Sequence, residues 1–397
     1  MIRSYKYRLH PNKEQKIFFE KSFGCARYIY NWALNKRIVA YQTKKKSLSC
    51  VDLCKMLTHL KKEEDKRWLN EISNECLQQS IRNMDSAFTR FFREKHGFPK
   101  FKSKHDNNKS YKAINNVKID FDKHKIKLPK IGWVNFFKNQ TFTGKMGTAT
   151  ISKTPTNKYY ISIVVDDNIP VPEKAEIKEE TSVGIDVGIK DFAVLSNGEV
   201  FANPKYLENN SKRLHILQRR LSKKQKGSNR RNKARIKVAR QHEKITNKRR
   251  DFLHKVSKRI ISENQTVIIE DLNVDGMLKN HHLARSISSV SWNEFFSMLQ
   301  YKADWNGKNL IKIGRFDPSS KMCSCGYVNK DLKLSDRTWT CPICGSVNDR
   351  DLLASQNIKR FGLQKQNLIG YSPAVGGVED VELPALVGTV KRQYIEV

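Results

Sequence analysis

Apolar and polar residues alternate from Ile2 to Leu9, which predicts a strand, and then the period changes. From Asn12 to about Arg93 apolar residues recur at helical spacing, as in Phe18, Phe19, Phe23, Tyr28, Ile29, Trp32 and Ala33, with further helix from about Asn74 to Phe92. From about Tyr111 the chain returns to short alternating runs: Val117–Phe121, Ile126–Leu128, Trp133–Phe136, Ala149–Ser152 and Tyr159–Val165. Pro129, Gly132, Gly144 and Pro155 punctuate them as turns. The pattern predicts a small β-barrel or sandwich over residues 1–10 and 100–170, with a helical insertion over 11–99. Its interleaved aromatic and basic residues suit a grip on nucleic acid.

A proline-containing acidic stretch, 171–181, reads as a linker. Ser182 to Phe201 holds two apolar strands, with a hairpin marked by Asn197-Gly198. Asp251 to Glu263 and Trp292 to Trp305 are amphipathic helices, and Thr266–Leu272 and Leu310–Ile313 are buried strands. Asp351 to Phe361 reads as a closing helix. The order of strand and helix argues an α/β sheet over 182–317 and 350–370, interrupted by 318–349. Residues 371–397 lose all period and are expected to form a mobile tail.

Charge changes the picture. The 397 residues carry 75 Lys or Arg against 40 Asp or Glu, a net +35, while a 38% hydrophobic content still allows cores. Such an excess repels itself and calls for a polyanionic partner, nucleic acid before membrane, because it spreads through most of the chain. Lys212 to Arg250 holds seventeen basic residues and one acid, Glu243. Like charges at helical spacing destabilise a helix unless a phosphate backbone lies along it. The candidate phosphate contacts are Lys212, Arg213, Arg219, Arg220, Lys223, Lys224, Arg230, Arg231, Arg235, Arg240, Arg249 and Arg250. No apolar run reaches the length of a signal peptide core or a membrane span, so a reducing cytosol is expected.

In that compartment clustered cysteines favour metal over disulfide. Four of the eight cysteines lie close together: Cys323-Ser-Cys325, then, after fifteen residues, Cys341-Pro-Ile-Cys344. Two pairs of thiolates suit structural Zn²⁺, although the first pair is C-x-C where C-x-x-C is usual. Cys25, Cys50, Cys54 and Cys76 read as ordinary thiols. Three carboxylates stand out: Asp186 within a strand, Glu270 at a strand's end and Asp351 at a helix start. Asp191, Asp271 and Asp349 are alternatives close by. If the strands are neighbours, the acids converge, and such a cluster needs cations. Oxygen donors suit Mg²⁺ or Mn²⁺, and two such ions can activate water and stabilise a leaving 3′ oxygen.

Several runs together resemble the TnpB (OrfB) proteins of bacterial insertion sequences, relatives of the type V CRISPR effectors. They are Gly184-Ile-Asp-Val-Gly-Ile-Lys-Asp-Phe-Ala, Ile268-Ile-Glu-Asp-Leu-Asn, Pro318-Ser-Ser-Lys-Met-Cys, Arg337-Thr-Trp-Thr-Cys-Pro-Ile-Cys-Gly and Asp349-Arg-Asp-Leu-Leu-Ala-Ser-Gln-Asn-Ile. Gly24-Cys-Ala-Arg-Tyr-Ile-Tyr-Asn and Gly97-Phe-Pro-Lys-Phe fit as well, and the resemblance covers about residues 1–365. It implies an RNase H-like, RuvC-like nuclease domain with a zinc-ribbon insertion, beside an N-terminal wedge-like β-barrel and a helical recognition domain. It implies an RNA-guided DNA endonuclease with catalytic, magnesium-binding Asp186, Glu270 and Asp351. A guide RNA from the transposon end would pair with double-stranded target DNA next to a short motif, one protein per guide RNA and with no membrane involved. By the same analogy Gln78, beside Leu77, and Asn115, beside Asn116, would read the motif. The chain departs from the family in Leu353-Ala-Ser, where Asn-Ala-Ala is usual, and in the C-x-C spacing. A nuclease-inactive RNA-guided repressor and a transposase with an RNase H-like core are the alternatives. On this reading the zinc staple does no chemistry and fixes where Asp351 stands.

Overall fold

The structure is a computed structural model that describes residues 1–367, apart from 46, 95, 107, 108 and 334. The expected tail therefore lies outside the described residues. Two compact units divide the chain, one over Met1–Ile169 and one beginning at Pro170. Among the described residues no helix is long and apolar enough to cross a membrane.

The first unit opens with strand β1 (Ile2–His10), followed by α1 (Lys13–Lys44), α2 (Cys50–Leu60), a 3-10 helix (Glu64–Glu71) and α3 (Asn74–Arg93). Asn12 starts α1 with a reciprocal cap: its side chain accepts from the Gln15 amide while the Gln15 side chain accepts from its own. Strands β2 (Lys109–Ala113), β3 (Lys118–Asp120), β4 (Lys125–Leu128), β5 (Gly132–Phe137), β6 (Lys145–Lys153) and β7 (Tyr159–Asp166) then complete a seven-stranded sheet in the order β2-β6-β7-β1-β5-β4-β3. β1 lies between β7 and β5, antiparallel to both. The order is an open one, with β2 and β3 at its two edges. Tyr7 and Leu9 of β1 share one core with Phe19 and Ile29 of α1 and Leu77 and Ile81 of α3. Cys25 and Cys76 are buried in it, so these thiols are packing residues.

The second unit begins with a meander: β8 (Ser182–Val187), β9 (Asp191–Leu195) and β10 (Val200–Ala202). Helices α4 (Tyr206–Asn209), α5 (Ser211–Ser222) and α6 (Asn229–Glu263) lead to β11 (Thr266–Ile269). Then come α7 (Val274–Met277), α8 (Ala284–Val290), α9 (Trp292–Trp305) and β12 (Asn309–Lys312). The sheet order is β10-β9-β8-β11-β12, with β8, β11 and β12 parallel and the meander antiparallel. This is the α/β sheet that the alternating pattern predicts. A hairpin of β13 (Thr338–Thr340) and β14 (Val347–Asp349) precedes the closing helix α10 (Arg350–Gln364).

Two glycines let α10 lie against the sheet. A Cβ on Gly184 of β8 would overlap the Ser355 carbonyl oxygen and stand 2.5 Å from the Lys359 nitrogen. One on Gly362 would strike the Ile268 side chain. Ile268, Ile313, Ile358 and Leu363 then form the apolar layer between helix and sheet. Because the obstacles at Gly184 are backbone atoms, rotamer changes cannot relieve them. Gly184→Ala should cost about 1–3 kcal/mol by overpacking and speed hydrogen exchange in β8 and α10 while leaving β1 and β7 protected. Unchanged protection would mean that the helix can shift freely.

Candidate active site

β8 and β11 are parallel, with Ile185 opposite Ile269. The next residues, Asp186 and Glu270, therefore leave the pair level with each other at one end of the sheet. The same register places Ile268 opposite Gly184, against which the backbone of α10 packs at Ser355 and Lys359. Asp351 lies one helical turn before Ser355, on the same helix face. Its start is fixed by Asp349, whose side chain accepts from the Leu352 amide at 2.9 Å. An acid in that first turn is also favoured by the helix dipole.

The electrostatics record the convergence. The Asp186 carboxyl is held well above its usual range, first by burial and then by the negative charges of Glu270 and Asp351, with Arg350 opposing. Glu270 is raised by burial and by Asp317, against a hydrogen bond from Ser319 that lowers it. Asp186 therefore lies near two further oxygen donors, the type a hard divalent cation such as Mg²⁺ takes, although among the described residues only the four cysteines already bring their ligand atoms within one ion's reach. Of the alternatives, Asp349 caps α10 and Asp271 pairs with Arg315 at 2.9 Å, while Asp191 is the first residue of β9. Arg337 pairs with Asp351 at 3.3 Å and also lines a cleft of about 650 Å³ with Lys190, Lys205 and Arg285.

Cys323, Cys325, Cys341 and Cys344 come together, their sulfurs all within 4.8 Å of one another. Two of the separations are 3.6 Å, Cys323 to Cys344 and Cys325 to Cys341. Zinc–sulfur bonds of about 2.3 Å in a tetrahedron require about 3.8 Å between sulfurs, so the four thiols fit Zn²⁺ in spite of the C-x-C spacing. Leu353 is buried in one cluster with Cys323, Trp339 and Cys341. The departure from the family pattern is thus an apolar plug from α10 into the cysteine module, two residues from Asp351.

Sequence reasoning gave no role to Ser319, Arg337 or Asn357. Ser319 donates to Glu270, and Asn357 donates to the carbonyls of Ser319 and Met322. Both sit inside runs that carry the family resemblance, but nothing in periodicity or charge marks them.

The basic candidates divide. On α5 Lys212, Arg213, Arg219 and Arg220 are exposed, as are Lys223 and Lys224 after it and Arg230, Arg235 and Arg240 on α6. Arg231 instead closes the end of α5 through the Leu221 and Lys224 carbonyls, and Arg250 pairs with Glu294 at 2.7 Å. Arg249 is half-buried. In the first unit Gln78 is half-buried on α3, and Asn115 is bound to Glu75 in the first turn of that helix.

Three family models match: one described as "Probable transposase" over residues 162–281, one as "Cas12f1-like, TNB domain" over 292–358, and one as "Helix-turn-helix domain" over 1–46. The last range holds one strand and one 32-residue helix. The chain is 40% identical over 366 residues to a "Putative RNA-guided DNA endonuclease" of Streptomyces pristinaespiralis, covering 91% of this chain and 89% of the relative. It is 30% identical over 376 residues to "Putative RNA-guided DNA endonuclease InsQ" of Escherichia coli K12, covering 91% and 92%. The cryo-EM structure of a Cas12f1–sgRNA–target DNA complex superposes with a TM-score of 0.54 at 15% identity, over 88% of this chain and 83% of that one. At that identity the likeness is one of fold.

Two predictions concern the metals. Asp186 titrates higher in the folded than in the unfolded chain, so the metal-free protein loses stability as pH rises from the ordinary aspartate range through the folded value. At neutral pH Asp186→Asn should raise the metal-free unfolding temperature, and Mg²⁺ should stabilise the wild type and not the variant. A destabilised variant would show that another group already compensates this carboxylate. Mass spectrometry of the native chain should find one zinc. Cys341→Ser should lose it and speed hydrogen exchange in the first turn of α10. Unaltered exchange there would disconnect the cysteines from Asp351.

Proposed function

The chain belongs to the TnpB (OrfB) family of RNA-guided DNA endonucleases encoded by insertion sequences, and from that premise we propose that it hydrolyses DNA at Asp186, Glu270 and Asp351. The observation that carries this reading is the parallel register of β8 and β11, which sets two carboxylates level while α10 brings the third. Bound Mg²⁺ or Mn²⁺, as a pair of ions, would activate water and offset charge on the leaving 3′ oxygen.

The chain's own residues set the stage for that chemistry. Asp186, Glu270 and Asp351 present the oxygen donors at the end of an RNase H-like sheet. Arg337 pairs with Asp351 and lines the cleft that would admit the strand to be cut. The exposed cations of α5 and α6 would take the phosphate backbone of the guide RNA and its DNA partner, as on Lys212, Arg213, Arg219, Arg220, Arg230, Arg235 and Arg240. The guide would come from the transposon end, one protein to each, with the target beside a short motif. Gln78 and Asn115 are the proposed readers of that motif. Leu353 is turned into the cysteine cluster and leaves all three acids in place, so no observation favours an inactive repressor.

The test uses the protein with its co-purified RNA, a matched DNA and Mg²⁺. Asp186→Ala should lower cleavage by at least about a thousandfold with guide and target binding retained, and EDTA should stop the wild type. Full cleavage by the variant, or cleavage in EDTA, would overturn the assignment.

A further inference from the structure

Glu270 has a protein partner that a bare cluster of metal-binding acids does not need. The Ser319 hydroxyl donates to Glu270 Oε1, across 49 positions of sequence. Ser319 is 7% exposed, so water has little access to take over that bond. A buried serine can satisfy itself more cheaply on a local carbonyl, as Ser257 does on Leu253 four residues back. Ser319 is in no helix and spends its only donor on the acid.

What holds Ser319 is equally specific. The β12 strand is followed by a tight loop in which Asp317 accepts from the Gly314 amide at 2.7 Å, and the Ser319 amide then donates to the Asp317 carbonyl at 2.7 Å. Asn357 Nδ2 donates to the carbonyls of Ser319 and Met322, both at 2.6 Å. Asn357 is 3% exposed, so both hydrogens of its amide are committed to this one segment. Asn357 stands on α10, the helix that carries Asp351, and Met322 directly precedes Cys323 of the cysteine cluster. The four residues 319–322 are thus clamped by the helix of one acid, rooted in the metal-binding thiols, and bonded to a second acid.

A carboxylate that serves a cation must keep its oxygens in one orientation. A neutral donor fixed on one oxygen does this without adding charge, and such partners typically alter metal affinity about 10–100-fold. We propose that Ser319 is a positioning residue for Glu270 and that Asn357 is the clamp that fixes Ser319. The inference rests on Glu270 being a ligand of the divalent site.

The test reads metal binding directly. Free Mn²⁺ is followed by electron paramagnetic resonance during titration of the zinc-loaded full chain, with Glu270→Gln as the background. Ser319→Ala should weaken Mn²⁺ binding about tenfold with zinc content and unfolding temperature unchanged. Ser319→Thr, which keeps the hydroxyl, should restore it. The Mg²⁺ concentration for half-maximal cleavage should rise by the same factor in Ser319→Ala, with target binding unaffected. Wild-type Mn²⁺ affinity in Ser319→Ala, when Glu270→Gln has lost it, would overturn the role of Ser319 alone. Wild-type affinity in Glu270→Gln itself would remove the reading beneath it.

Discussion

The negative charges of Glu270 and Asp351 oppose ionisation of the buried Asp186, and the second unit is arranged to keep these acids near one another all the same. Each carboxylate left alone would move toward water, and burial beside two others lifts Asp186 far out of its usual range. What prevents escape is backbone geometry. The parallel ladder of β8 and β11 allows no slip of one residue, because a slip would send every side chain of the strand to the opposite face. Gly184 and Gly362 then omit the Cβ atoms that would hold α10 away from the sheet. The cost of like charges is met by the packing of strands and helix, and by whatever cations the site draws in.

The cysteine module extends this restraint to α10. Its buried core among the described residues is Cys323, Trp339, Cys341 and Leu353, too little apolar surface to hold a hairpin of three-residue strands by itself. Four converged thiols supply the missing cohesion when metal crosslinks them. Leu353 belongs to the helix and not to the hairpin, so crosslinking the module also fixes the turn that bears Asp351. An asparagine at position 353 would be polar in this apolar cluster, which gives a physical reason for leucine here.

Local patterns made much of this legible. β1, α9 and β11 follow from alternation and helical spacing, and the acids and cysteines stood out because charge within an apolar run and paired thiols are visible in one dimension. The fusion of the basic stretch after Gly227 with the amphipathic helix into the single α6 was less plain, since like charge masks the period. The three-residue β10, the short α7 and α8, and the open order of the N-terminal sheet depend on neighbours distant in sequence. So do Ser319, Asn357 and Arg337. Each is an ordinary polar residue whose meaning lies in a partner that only folding supplies.

The same limit applies to the basic residues, and it bears on how the charge is used. Arg231, Arg250, Arg259 and Arg315 find carbonyl or carboxylate partners within the second unit, so part of the positive excess builds the fold. The exposed cations of α5 and α6 have no comparable supply of acids along their own helices, where Glu243 is the single one from Lys212 to Arg250. At long range a chain of net +35 attracts a polyanion, yet at short range the three carboxylates repel each phosphate that reaches them. Two opposite fields on one path would stall a phosphodiester short of the acids. On the proposed reading, divalent cations held by those acids would reverse the local sign, so that the far field and the near field would agree.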